Sequence, residues 1–164
     1  MQSQREPETF IDLLRVRAES QAEKNAYTFL IDGEMEEARL SYAELDQHAR
    51  AIGALLQSLN AKHQPVLLLY PPGLDYIAAF FGCLYAGAIA VPAYPPRVNR
   101  NLSRLRAIVA DAQATCALTI APTISRLEPL LAASPHLSAL KWLTIDDIPH
   151  GIEDDWFEPA VTSK

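Results

Sequence analysis

The sequence predicts an α/β fold, a largely parallel sheet with helices on both faces. Two observations carry this reading. Apolar runs of strand length alternate along the chain with segments whose apolar residues recur at helical spacing. The runs Pro65–Tyr70 (PVLLLY) and Thr115–Ile120 (TCALTI) are apolar without alternation, the pattern of strands covered on both sides.

The elements follow in order. Thr9, with Asp12 three residues on, resembles a capping box, and Phe10, Leu13 and Leu14 give a helix over about residues 9–22. Ala26–Asp32 reads as a strand ending at the Asp32-Gly33 turn, with Ala38–Ser41 pairing back. Ser41 and Glu44 form a second capping box, and Leu45, Ala49, Ile52, Leu56 and Leu59 make one helical stripe. Asp46, Gln47, Arg50 and Gln57 fall on that helix's outward face.

After the strand 65–70, Pro71-Pro72-Gly73 forms a turn, an apolar helix runs from Leu74 to Ala86, and Ala88–Ala93 is a short strand. Asn101 can cap a helix that buries Leu102, Leu105, Ile108, Val109 and Ala112. Strand 115–120 leads into a helix from Ala121 to about Ala133, with a kink or early end expected at Pro129. Leu140–Ile145 is the last strand. From Asp146 on, acidic residues spread among prolines and a glycine read as a linker or surface loop.

Composition narrows the function classes. Fourteen basic and twenty acidic residues give a charge of −6, which argues against nucleic acid as a partner. The uncharged run Tyr76–Val91 is sixteen residues long, short of the roughly 20 that span a bilayer, and ends at Pro92. It reads as a buried helix entering a buried strand, so no membrane span is expected. Cys83 and Cys116 sit in apolar runs and read as buried reduced thiols of a cytoplasmic protein. The segment Met1–Glu8 is polar and lacks a signal-peptide pattern.

Chemistry-bearing motifs are sparse. None of the six glycines lies in a phosphate-cradling loop. His48, His63, His136 and His150 have no serine or cysteine beside them in a nucleophile motif, and exposed or capping roles explain them. Glu34, Glu36 and Glu37 fit a solvated hairpin tip. Arg97, Arg100, Arg104 and Arg106 fit either the wet face of a helix or a docking patch for an acidic carrier protein or a phosphate. The turn Tyr70–Gly73 lies at the carboxyl end of a buried strand, the edge where open α/β sheets bind ligands, although a Pro-Pro-Gly turn needs no ligand to explain it. No residue is assigned as catalytic, cofactor-binding or metal-binding.

Two stretches resemble the adenylate-forming, acyl-activating superfamily. Leu40-Ser41-Tyr42-Ala43-Glu44-Leu45 matches its first core motif, and Leu84 to Pro92 (LYAGAIAVP) is similar to the second. The continuation Ala93-Tyr94-Pro95-Pro96-Arg97, with Pro71 to Tyr76 before it, looks like the fatty acyl-AMP ligases, including loading modules of polyketide and nonribosomal peptide assembly lines. The resemblance covers Thr9 to about Pro159.

It implies that residues 1–145 are the N-terminal α/β portion of an adenylation domain. Residues 146–164 would then lead to an ATP-binding segment that is missing here. For the intact enzyme it implies ATP and Mg2+, a fatty acid substrate, and an acyl carrier protein as acceptor. The motif residues themselves read as scaffold: Ser41 and Glu44 cap a helix, Gly87 suits a helix-ending turn and Pro92 an edge strand. The isolated chain is therefore expected to be inactive. An amino-acid-adenylating or acyl-CoA-forming origin, and a non-catalytic interaction module, remain as alternatives.

Overall fold

The computed structural model describes residues 7–96 and 102–160. Helix α1 (Phe10–Ser20) precedes an antiparallel ribbon of β1 (Asn25–Leu30) and β2 (Glu37–Ser41). Then come α2 (Tyr42–Ser58), β3 (Pro65–Leu69), α3 (Leu74–Ala86), β4 (Ile89–Ala93) and α4 (Ser103–Ala112). The series continues with β5 (Cys116–Thr119), α5 (Ala121–Ala132), α6 (Pro135–Ser138) and β6 (Lys141–Thr144). Two short 3-10 turns, at 145–147 and 152–155, follow.

The last four strands form one parallel sheet in the order β4-β3-β5-β6. Successive residues of a strand face opposite sides. Val66, Leu68, Tyr70, Cys116 and Leu118 therefore join a core with α1, α2 and α3. Leu67, Leu69 and Ala117 join a second core with Leu105, Val109, Leu127 and Leu131 on the other face. This two-sided burial is why the strands show no polar alternation. The apolar run 76–91 is α3 passing into β4. Pro92 costs the sheet no interior hydrogen bond, because β4 is an edge strand.

Both capping boxes form. Thr9 Oγ1 accepts from the Asp12 amide at 3.0 Å, and Asp12 Oδ2 accepts from the Thr9 amide at 2.9 Å. Ser41 Oγ accepts from the Glu44 amide, and Glu44 Oε2 from the Ser41 amide at 2.8 Å. Gly87 ends α3 in the left-handed region (φ 68°), where a side chain would be strained.

Three expectations change. The helix with Pro129 does not end there but runs on to Ala132, since one lost amide donor is outweighed by Leu127 and Leu131, both buried. Helix α4 starts at Ser103 with Leu102 in the cap position; Asn101 lies outside the described residues. The face of α2 read as outward is partly covered. Asp46 accepts from Tyr85 Oη (2.7 Å) and Arg50 Nε (2.9 Å), Gln47 donates to Glu153 (2.9 Å), and Gln57 donates to the Phe157 carbonyl (2.7 Å).

The covering element is the segment after β6. The Trp156 ring lies 4.9 Å from the Tyr85 ring, and its Nε1 donates to the Tyr85 carbonyl at 2.8 Å. The Arg15 guanidinium sits 5.3 Å over the same indole and pairs with Glu158 at 3.0 Å. Upstream, Asp146 accepts from the Ala121 amide at 2.7 Å and so caps α5, whose own cap residue, Ile120, offers no side-chain oxygen.

Candidate functional site

Because β3 and β4 are parallel, with Leu69 opposite Ala93, both strands deliver their following residues to one edge. Tyr70–Gly73 leaves β3 and Tyr94 leaves β4 beside it. The β1–β2 ribbon packs against α3 and completes an open hollow of about 400 Å³. Tyr27 and Phe29 come from β1, Leu74 and Ile77 from the first turn of α3, and Pro92 and Tyr94 from β4 and its continuation. The walls are mainly apolar. The volume falls in the range of small-molecule sites, and the carboxyl edge of the sheet is where such sites form.

Besides Tyr27, Thr28, Tyr76 and Tyr94, the hydroxyl-bearing residues of the lining include Tyr70. It is 3% exposed, and its hydroxyl is buried without a partner. Burial raises its pKa above the ordinary tyrosine value, helped by Cys83, Asp75 and Asp146. Asp75, at the start of α3, is itself raised above the usual aspartate value, first by desolvation and then by Asp146. On the α5 side of the Pro71-Pro72 turn a second hollow of about 360 Å³ is lined by Tyr94, Thr123, Arg126 and Leu127. Thr123 is 2% exposed, and its hydroxyl also has no partner.

The other sequence candidates disperse. His48, His63, His136 and His150 are all exposed. His48 and His150 share the lining of one hollow with Asp75 and Asp146, yet no three His, Cys, Asp or Glu side chains converge as metal ligands among the described residues. Cys83 and Cys116 are buried free thiols, and burial pushes Cys83 up to about 12. At the ribbon tip, Asp32 accepts from the amides of Glu34, Met35 and Glu36, which holds its pKa down. Arg104 and Arg106 lie on the exposed side of α4, while Arg97 and Arg100 fall outside the described residues. Among the described residues no helix is long and apolar enough to cross a membrane.

What sequence reasoning missed is the hollow and the orphaned Tyr70 hydroxyl. The available signal was the position of Tyr70-Pro71-Pro72-Gly73 after a buried strand. The ribbon that borders the hollow is remote in sequence and gave none.

A mixed α/β fold with this parallel four-stranded sheet is that of the N-terminal domain of adenylate-forming enzymes. The chain belongs to the AMP-binding enzyme family, whose pattern it matches over residues 14–160. It is 46% identical over 159 residues to the medium-chain-fatty-acid–[acyl-carrier-protein] ligase JamA of Moorena producens (strain JHB), covering 94% of this chain and 27% of that protein. It is 35% identical over 155 residues to Disco-interacting protein 2 of Drosophila melanogaster, covering 89% of this chain and 9% of that protein. Its fold superposes with a TM-score of 0.82 and 37% identity on the L. pneumophila fatty acyl-adenylate ligase solved with acyl adenylate and pyrophosphate, covering 93% of this chain and 26% of that one. The chain thus spans about a quarter of the ligases it matches.

Proposed function

We propose that this chain is the N-terminal scaffold of a fatty acyl-AMP ligase. The observation that carries the reading is 46% identity, over nearly the whole chain, to a ligase that joins medium-chain fatty acids to a carrier protein. In the intact enzyme a fatty carboxylate attacks the α-phosphorus of ATP, and the bond to the β-phosphate breaks to release pyrophosphate. The carrier's thiol then attacks the acyl carbonyl, and AMP leaves. The triphosphate and the Mg2+ that would offset its charge do not fit the residues described here, which supply neither a glycine-rich loop nor a converging ligand set. Those roles fall to the portion of the ligases that this chain does not span.

Residues 1–145 act in this reading as the α/β scaffold, and 146–164 lead toward the ATP-binding portion. The acidic charge disfavours a nucleic-acid partner, the likeness to a fatty-acid–carrier ligase supports an acyl carrier, and the reduced thiols suit the cytoplasm. The test is fatty-acid-dependent ATP–pyrophosphate exchange by the full-length parent enzyme and by the isolated chain. Exchange by the parent alone is expected, with acyl transfer to carrier protein in preference to coenzyme A. Exchange by the isolated chain, or its absence from the parent, would overturn the reading.

A further inference from the structure

We infer that the outer side of α4 and α5, at the end where both helices leave the carboxyl edge of the sheet, is a docking surface for an acidic acyl carrier protein. The carrier comes from the preceding reading, on which this assignment rests; its place on the chain is new.

Charge is divided between the two layers that sandwich the sheet. The ribbon, α1, α2, α3 and the segment after β6 pack into one core, and α4, α5 and α6 into the other. Residues 102–144, which hold the second layer, carry Arg104, Arg106, Arg126 and Lys141 against Asp111 and Glu128. The other described residues carry six basic and seventeen acidic side chains. A chain of charge −6 therefore keeps one basic face.

Topology gathers three of these cations. Because β4 and β5 both run parallel to β3, α4 and α5 begin at the same edge. Arg104 and Arg106 stand in the first turn of α4, and Arg126 Nε turns back to donate to the Pro122 carbonyl at the start of α5 (3.1 Å). Lys141 opens β6 at the opposite end and is not part of the surface. Arg104, Arg106 and Arg126 are exposed, and none forms an ion pair among the described residues. Their positive field is thus left to an outside partner. Tyr94, 78% exposed, borders the same hollow as Arg126. Tyrosine and arginine are the side chains that commonly anchor protein interfaces. Three arginines are fewer than the clusters of about four to eight cations that hold an anionic bilayer, and they offer nucleic acid few phosphate contacts. A compact acidic protein fits the face.

The parent ligase is assayed for fatty-acid-dependent ATP–pyrophosphate exchange, which needs no carrier, and for acyl transfer to a holo-acyl carrier protein. Reversing all three charges, by Arg104→Glu, Arg106→Glu and Arg126→Glu together, is expected to raise the KM for carrier about tenfold or more, with kcat and exchange unchanged. Added salt should raise the KM of the parent and have less effect on the triple variant. If the triple variant melts early, the single changes Arg104→Gln, Arg106→Gln and Arg126→Gln should each raise that KM about threefold in folded enzyme. Glu23→Arg, on the acidic layer, should leave it unchanged. An unchanged KM in the charge variants, an equal loss of exchange, or an equal rise in Glu23→Arg would overturn the docking surface alone. Failure of the parent to exchange or to load any carrier would overturn the preceding reading and the surface with it.

Discussion

Ser41 and Glu44 show how much one pair of side chains decides locally. Each satisfies an amide of the other's residue, and the exchange requires only that they stand three apart at the start of a helix. Ser41→Ala is expected to cost about 1 kcal/mol in urea unfolding. Glu44 is held below its ordinary pKa by the Ser41 amide, so its contribution is present above the ordinary glutamate range and is lost as pH falls through the lowered value. Asp75 behaves oppositely. Its raised pKa means the folded chain binds more protons than the unfolded one just above the ordinary value of 3.8, so stability falls as pH rises through that window. Asp75→Asn should flatten this slope and leave the chain no less stable at neutral pH, read as the difference between variant and parent melts across the acid range. Both capping boxes were legible because their partners are three residues apart. The raised pKa of Asp75 was not, since its causes are burial and then Asp146, 71 residues further along the chain, both supplied by the fold.

Helices α2 and α3 meet at two glycines, each of which faces a side chain of the other helix. A Cβ on Gly82 would stand 2.4 Å from Ile52 Cγ2 and 2.5 Å from its Cβ, and one on Gly53 would stand 2.9 Å from Tyr85 Cβ. Gly82→Ala gains about 1 kcal/mol of helix propensity. It meets a branched side chain at its root, an overpacking that costs about 1–3 kcal/mol, so net destabilisation is expected. Adding Ile52→Ala should make the double variant's loss smaller than the sum of the single losses. A failure of that coupling would mean the helices separate elsewhere. The segment after β6 belongs to the same contact, because the Trp156 ring would lie 3.0 Å from the missing Gly53 Cβ. Trp156→Ala removes a partly buried indole, its hydrogen bond to Tyr85 and the seat of Arg15, and should cost about 2–3 kcal/mol in denaturant unfolding. The period of α2 announced its buried stripe. It could not announce that Gln47 and Gln57 hold a segment about a hundred residues away, because polar residues on a wet face and polar residues under a strap look alike in sequence.

The two cores share the sheet, one using Val66, Leu68, Cys116 and Leu118 and the other Leu67, Leu69 and Ala117, so neither can open without exposing the strands of both. The isolated chain should therefore unfold in one transition, with tryptophan fluorescence and far-ultraviolet circular dichroism coincident; separate midpoints would show that the cores are independent. Element types, the parallel sheet and family membership were determined by the sequence alone, because each rests on patterns a few residues long: apolar period, capping pairs, turn residues and two short motifs. The hollow at Tyr70, the α5 cap supplied by Asp146 and the strap closed by Trp156 were decided only by the tertiary structure. Each joins groups from 25 to over 70 residues apart, and their proximity is set by how the helices pack on the sheet rather than by any local spacing.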